Sequence, residues 1–250
     1  MRMHTPRMFH LKPNITYVCD RGCPNCNRAT RLCPSSERED LSPEQFAKML
    51  GDSARVGHKW LRITLTGGEP TMHPQFEQIV DAMMDYKREH NPECKMCTYT
   101  YHHREFFEKV ERVKAKYPDF IVFDTKKDKP RIHLYAPHMA PVDDPKFGPG
   151  HAYIGCHLGG HLCGLGYDSR GFFCCSLGAA IARIFALGIA VPNVADISRD
   201  VMIGQFKHLC SRCGFYNLAK PSPGNGEPIS PAWKDAIERY NRVNGTASGS

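Results

Sequence analysis

The chain has 250 residues, 41% of them hydrophobic and 24% charged, with a formal net charge of +7, which suits one large or two small globular domains. No stretch approaches the ~20 uninterrupted apolar residues of a membrane span, and residues 1–12 mix Arg, His and Pro instead of forming the apolar core of a signal peptide. A cytoplasmic protein is therefore expected, whose twelve cysteines read as reduced thiols at metal-ligand spacing, and whose dispersed Lys and Arg argue against nucleic-acid binding for want of a basic stripe with interleaved aromatics.

Residues Ile15 to Val18 are predicted as a first strand running into Cys19, Cys23 and Cys26, spaced Cys-x3-Cys-x2-Cys. Three thiolates on one short loop can hold three irons of a 4Fe-4S cube, and with no fourth cysteine in register one iron stays open to a ligand from outside the protein. Zinc fits less well, because zinc knuckles favour paired Cys-x2-Cys units and a closed set of four ligands. Cys33 reads as a bystander. Ser42-Pro43-Glu44 then opens a helix, with Ser as cap, Pro at the first position, and Phe46, Met49 and Leu50 on one face. The strand-like run Trp60 to Thr66 ends in Gly67-Gly68-Glu69-Pro70. The two glycines let the backbone approach a ligand closely, and Glu69 supplies an acceptor for an ammonium group.

Residues His73 to His90 carry Phe76, Ile79, Val80, Met83 and Met84 at helical spacing, and Asn91-Pro92 ends the run. Met96 to Tyr101 is a predicted third strand, Arg104 to Tyr117 a helix with Phe106, Phe107, Val110 and Val113 inward, Phe120 to Phe123 a fourth strand, and Ile132 to Tyr135 a fifth. Cys94 and Cys97 form a Cys-x2-Cys pair with no second pair nearby, and read as structural. His102 and His103, His133 with Tyr135, and Asp124 stand at strand ends or share a strand face; Asp124 is a candidate ribose or substrate contact. Alternating strands and helices imply right-handed parallel crossovers. A complete eight-fold barrel typically takes ~250 residues by itself, so the expected fold is α/β, a partial (β/α) TIM-like barrel of five or six strands over residues 1–150.

After Pro137 several prolines and glycines precede six cysteines: Cys156, Cys163, Cys174, Cys175, Cys210 and Cys213. Residues 151–218 are expected to form a separate, small cysteine-rich unit, in which Ala179 to Leu187 is a short buried helix. Residues 219–250 are read as a linker, a short helix from Ala232 to Val243, and a flexible end.

The Cys19-Cys23-Cys26 loop followed by Gly67-Gly68-Glu69-Pro70 resembles the radical S-adenosylmethionine (radical SAM) enzymes. The resemblance implies that the open iron binds the amino and carboxylate groups of the cofactor's methionine, and that reductive cleavage gives a 5'-deoxyadenosyl radical. It implies the same partial barrel. The chain departs from the family at Asn25, where an aromatic residue is common before the third cysteine, which bears on the adenine contact and leaves the iron ligands untouched. The order of a cysteine, a Gly171-Phe172-Phe173 hairpin with a cysteine after it, and a distal Cys210-x2-Cys213 resembles the shortened auxiliary-cluster domain called twitch. That resemblance implies a second 4Fe-4S cluster on Cys163, Cys175, Cys210 and Cys213, with Cys156 and Cys174 as substitutes; structural zinc suits the same four thiolates.

The expected reaction is oxidation or rearrangement of a small polar metabolite of sugar, aminocyclitol or nucleoside type, with the auxiliary cluster as electron acceptor, a flavodoxin or ferredoxin as reducing partner, and no catalytic side chain assigned beyond the clusters. Only 18 residues precede Cys19, which weighs against a leader-binding domain and so against the alternative, a peptide-modifying enzyme. A non-catalytic, zinc-stabilised binding module is the third expectation.

Overall fold

Three strand-to-helix crossovers lay down a parallel sheet: β1 (His10–Thr16), α1 (Pro43–Arg55), β2 (Arg62–Gly67), α2 (Phe76–His90), β3 (Lys95–Thr100), α3 (Phe107–Lys116) and β4 (Ile121–Asp124). The computed structural model describes residues 5–35, 39–101, 106–125, 135–147, 156, 163–216 and 227–245. Each β1–β4 pairing is parallel, with Leu11 opposite Ile63 and Ile63 opposite Met96. These three side chains are fully buried with Phe46, Leu50, Phe76, Ile79 and Met83, so the helices cover one sheet face and form the main core.

Helix α1 begins where its capping signal stands. Ser42 Oγ accepts the Gln45 N–H at 3.1 Å, and the Gln45 side chain accepts the Ser42 N–H at 3.2 Å. Phe46, Met49 and Leu50 are buried as their spacing predicts, as are Met83 and Met84 on α2. Helix α3 departs from expectation: Val110 and Val113 are buried, Phe106 lies before the helix, and Phe107 is 47% exposed. Helix α3 flanks the edge strand β4, where a neighbour stands on one side only, so its apolar stripe is narrower than the sequence suggests.

Strand β1 starts five residues earlier than its apolar run, because it continues through Pro13 at the centre of the sheet, with a register irregularity between Asn14 and Thr16. On its far side β1 pairs in parallel with β5 (Leu165–Asp168), and β5 turns into the antiparallel β6 (Gly171–Phe173). The sheet order is β4-β3-β2-β1-β5-β6. The Gly171-Phe172-Phe173 hairpin from the cysteine-rich region is therefore the outer edge of the barrel sheet. Gly171 turns it at φ +129, and a Cβ there would fall 2.5 Å from the Val191 carbonyl oxygen. Of the fifth strand expected at Ile132 to Tyr135, residues 132–134 lie outside the described residues.

Helices α4 (Ser176–Ile184), α5 (Arg199–Gly204), α6 (Phe206–Leu209) and α7 (Pro231–Val243) complete the order. Helix α4 starts and ends three residues before the expected Ala179 to Leu187, because Cys175 caps it and Ala186 leaves helical space at φ +52. Helix α7 docks through Trp233, Ala236 and Tyr240. No helix of the described residues is long and apolar enough to cross a membrane.

Candidate functional site

The carboxyl ends of β1, β2 and β3 meet at the loop that carries Cys19, Cys23 and Cys26, the end of a parallel barrel sheet where sites are built. Gly67 and Gly68 fix how closely β2 approaches that loop. The Gly68 N–H donates to Thr16 O and the Glu69 N–H to Val18 O, each at 2.8 Å. A Cβ on Gly67 would stand 2.1 Å from Thr16 O, and one on Gly68 2.1 Å from Val18 O. Any larger residue would push the start of the cysteine loop away.

Glu69 is 2% exposed, and its carboxylate staples strand ends together. Oε1 accepts from Thr71 N at 3.2 Å, Thr71 Oγ1 at 2.7 Å and Thr100 Oγ1 at 2.7 Å, while Oε2 accepts from Tyr101 N at 3.2 Å. Tyr101 continues the tie by donating its hydroxyl to Asp20, and the Arg21 guanidinium lies 3.9 Å above its ring. The Cys19 thiol is pushed up to about 12, first by burial and further by Cys26, Glu69 and Asp20, against the Arg21 N–H. A positively charged iron site offsets such a penalty by taking the thiolate form. Thr30 Oγ1 lies 3.7 Å from Cys26 Sγ.

Asn27 and Arg28, just past this loop, help line a cavity of about 250 Å³. Cys156, Cys163, Cys175, Cys210 and Cys213 all line it. Lys12, Asn27, Arg28, Thr66 and Tyr99 line it too, beside the apolar Leu177, Ile181, Leu209 and Phe215. The four cysteines expected to act together thus share one cavity with Cys156, whereas Cys174 does not line it and is buried in the core. Cys175 is the cap of α4, and its Sγ accepts the Gly178 N–H at 3.2 Å. Its thiol is lowered to about 7, first by a hydrogen bond from Cys174 and then, against burial, by the N–H groups of Gly178 and Leu177 and the charge of Arg28. Burial raises Cys163 to about 11, with Cys175 adding to it and Lys12 and Arg28 opposing. Burial likewise raises Cys210 and Cys213.

Among the described residues no three His, Cys, Asp or Glu side chains converge closely enough to hold a single metal ion. Both sets, Cys19, Cys23, Cys26 and Cys163, Cys175, Cys210, Cys213, offer thiols alone, the donor chemistry of iron-sulfur cubes and of structural zinc alike.

Other sequence candidates fall away from both places. Cys33 and Cys94 are fully buried, their thiols pushed up to about 12 chiefly by burial, and Cys97 is buried beside β2. Asp124 closes β4 opposite Thr100, exposed and off the cavity wall. His102, His103 and His133 lie outside the described residues. Sequence reasoning missed Glu227, whose Oε1 accepts the Asn25 N–H at 2.9 Å inside the cysteine loop and stands 2.8 Å from His138 Nδ1, with Arg31 on its other oxygen. Asn25 itself adopts φ +55. A contact spanning 202 residues leaves no local pattern to read.

The family model described as the Radical SAM superfamily matches residues 13–139. A GTP 3',8-cyclase of Mannheimia succiniciproducens is 29% identical over 75 residues, which are 30% of this chain and 22% of that protein, so the match spans about a fifth of the curated relative's length. BtrN in complex with AdoMet and 2-DOIA aligns at TM-score 0.47 and 11% identity, covering 82% of this chain and 92% of that one. SuiB of Streptococcus suis bound to S-adenosylmethionine aligns at TM-score 0.36 and 18% identity, over 46% of this chain and 24% of that one.

Proposed function

The chain belongs to the radical SAM superfamily, and from that premise we propose that it is a radical SAM oxidoreductase acting on a small polar metabolite of sugar, aminocyclitol or nucleoside type. Cys19, Cys23 and Cys26 would hold a 4Fe-4S cluster that binds S-adenosylmethionine, and Cys163, Cys175, Cys210 and Cys213 would hold a second. When bound, the first cluster would supply the electron that splits S-adenosylmethionine into methionine and a 5'-deoxyadenosyl radical able to take a hydrogen atom from the substrate, and the second would accept the remaining electron as the substrate releases a proton. The observation that supports this reading is that Cys163, Cys175, Cys210 and Cys213 line one cavity together with Lys12, Asn27, Arg28, Thr66 and Tyr99, so that a cluster on those thiols would lie beside polar side chains able to bind a metabolite.

The chain's own residues then have definite tasks. Gly67 and Gly68 let β2 and the cysteine loop touch, so that the backbone at Gly68-Glu69 faces the cofactor. Glu69, Tyr101 and Asp20 hold the loop against the ends of β2 and β3, and Glu227 holds it from the other side at Asn25. Asn27, Thr66 and Tyr99 supply amide and hydroxyl groups toward a polar substrate. A flavodoxin or ferredoxin delivers the reducing electron.

The test is direct. Anaerobically reconstituted protein with a strong reductant should convert S-adenosylmethionine to 5'-deoxyadenosine; a protein that binds iron yet leaves S-adenosylmethionine intact would end the reading. In Glu69→Ala, the donors of Thr71, Thr100 and Tyr101 lose their acceptor, at about 1–3 kcal/mol for each one left buried without a partner. The variant is expected to melt several degrees lower and to bind S-adenosylmethionine more weakly, measured calorimetrically. Normal affinity in a folded variant would remove Glu69 from the site.

A further inference from the structure

Two arginines are buried in the described structure, Arg28 and Arg183, each 6% exposed. Arg183 is paired: its Nε donates to Glu39 at 2.8 Å. Arg28 is not. Its Nε donates to Asn14 Oδ1 at 2.9 Å and its Nη1 to Asn27 Oδ1 at 2.8 Å, and among the described residues no carboxylate forms an ion pair with it. A buried guanidinium whose only partners are neutral amides carries a large desolvation cost, which a nearby negative charge must offset. The cavity lined by Arg28 and Lys12 has no Asp or Glu among its described lining; the groups there that can become negative on binding metal are the thiols of Cys156, Cys163, Cys175, Cys210 and Cys213.

Arg28 also stands between the two sulfur sites. It follows Cys26 by two residues, and the Asn14 amide that accepts from it donates through Nδ2 to Ser176 O at 3.1 Å, next to Cys175. Thr66 Oγ1, one residue before Gly67, donates to the same Asn14 oxygen at 3.1 Å. One hydrogen-bonded group therefore connects the loop of the first cluster, the end of β2 and the segment carrying Cys175.

We propose that Arg28, assisted by Lys12, is the counter-charge of the auxiliary 4Fe-4S cluster and sets that cluster's reduction potential as a positioning residue shared by both sites. The inference rests on the reading that Cys163, Cys175, Cys210 and Cys213 hold a cube. Four thiolates give such a cube a net negative charge, and reduction adds another. A fixed cation within the same low-dielectric cavity favours the reduced state more than the oxidised one, and so raises the potential. That is the direction an electron acceptor requires.

The experiment uses the full chain with Cys19, Cys23 and Cys26 replaced by Ala, so that the auxiliary cluster alone is titrated, without substrate, by redox titration followed by electron paramagnetic resonance. Adding Arg28→Gln should leave the iron content unchanged and move the midpoint to a more negative potential. Arg28→Lys, which keeps the charge and loses the planar fork, should keep most of the parent value. Should Arg28→Gln fail to fold, Lys12→Gln should give a smaller shift of the same sign. An unchanged midpoint in the folded variants overturns the proposal while leaving the cluster assignment intact. A parent protein that holds zinc or no metal removes the auxiliary cluster and this proposal together.

Discussion

Replacing Cys19, Cys23 and Cys26 with alanine is expected to lower the iron content of the anaerobically reconstituted protein from about eight to about four per chain and to abolish formation of 5'-deoxyadenosine. The three thiols sit on one loop, and that loop has its own supports. Tyr101 binds Asp20 and lies under Arg21, Glu227 accepts the Asn25 N–H, and the Ala29 N–H donates to Cys26 O at 2.8 Å. None of these contacts uses a sulfur atom, so the variant should stay folded and keep its brown colour through the second set of cysteines. Iron and sulfide analysis, with the visible spectrum, decides the matter. Iron content equal to the wild type would show that these cysteines are not ligands. Complete loss would show that Cys163, Cys175, Cys210 and Cys213 do not hold a cluster unaided.

The first half of the fold was legible in the sequence because its signals are local. The Ser42-Pro43 start of α1, the 3.6-residue spacing on α2 and the short apolar strands each follow from residues within a few positions of one another. Strand β1 was half hidden by Pro13, which removes an N–H and argues against a central strand; the bulge near Asn14 accommodates it. The parallel pairing of β1 with β5 joins residues more than 150 positions apart, Leu11 to Leu165 and Pro13 to Tyr167, so no spacing rule could reveal it. The cysteine motifs were readable because ligand spacing on a loop is itself local. The acceptor role of Glu69 was read as facing a ligand, and the structure adds that four donors from its own strand ends occupy that carboxylate. Arg28 looked like one dispersed surface charge among many, and only its burial, on a cavity that five cysteines also line, distinguishes it.

Removing Cys210 and Cys213 together separates an electron-accepting cluster from a structural metal. The segment has contacts of its own: Gly214 N donates to Pro137 O at 2.9 Å, so close to residues 136–137 that a Cβ on Gly214 would stand 1.8 Å from Ala136 O, and Trp233 Nε1 donates to Arg212 O at 2.7 Å. With those contacts intact, Cys210→Ala/Cys213→Ala loses chiefly two buried thiols, and at this chain length each kcal/mol lowers the thermal midpoint by roughly 2–4 °C. If the auxiliary cluster takes an electron from the substrate, the double variant should melt within several degrees of the wild type, continue to make 5'-deoxyadenosine, and yield no oxidised product: cleavage becomes uncoupled from turnover. A structural zinc or structural cluster gives the opposite order, because metal-binding energy is then folding energy; the midpoint collapses and both products disappear with it. A folded double variant with the wild-type yield of oxidised product would sink the electron-acceptor role.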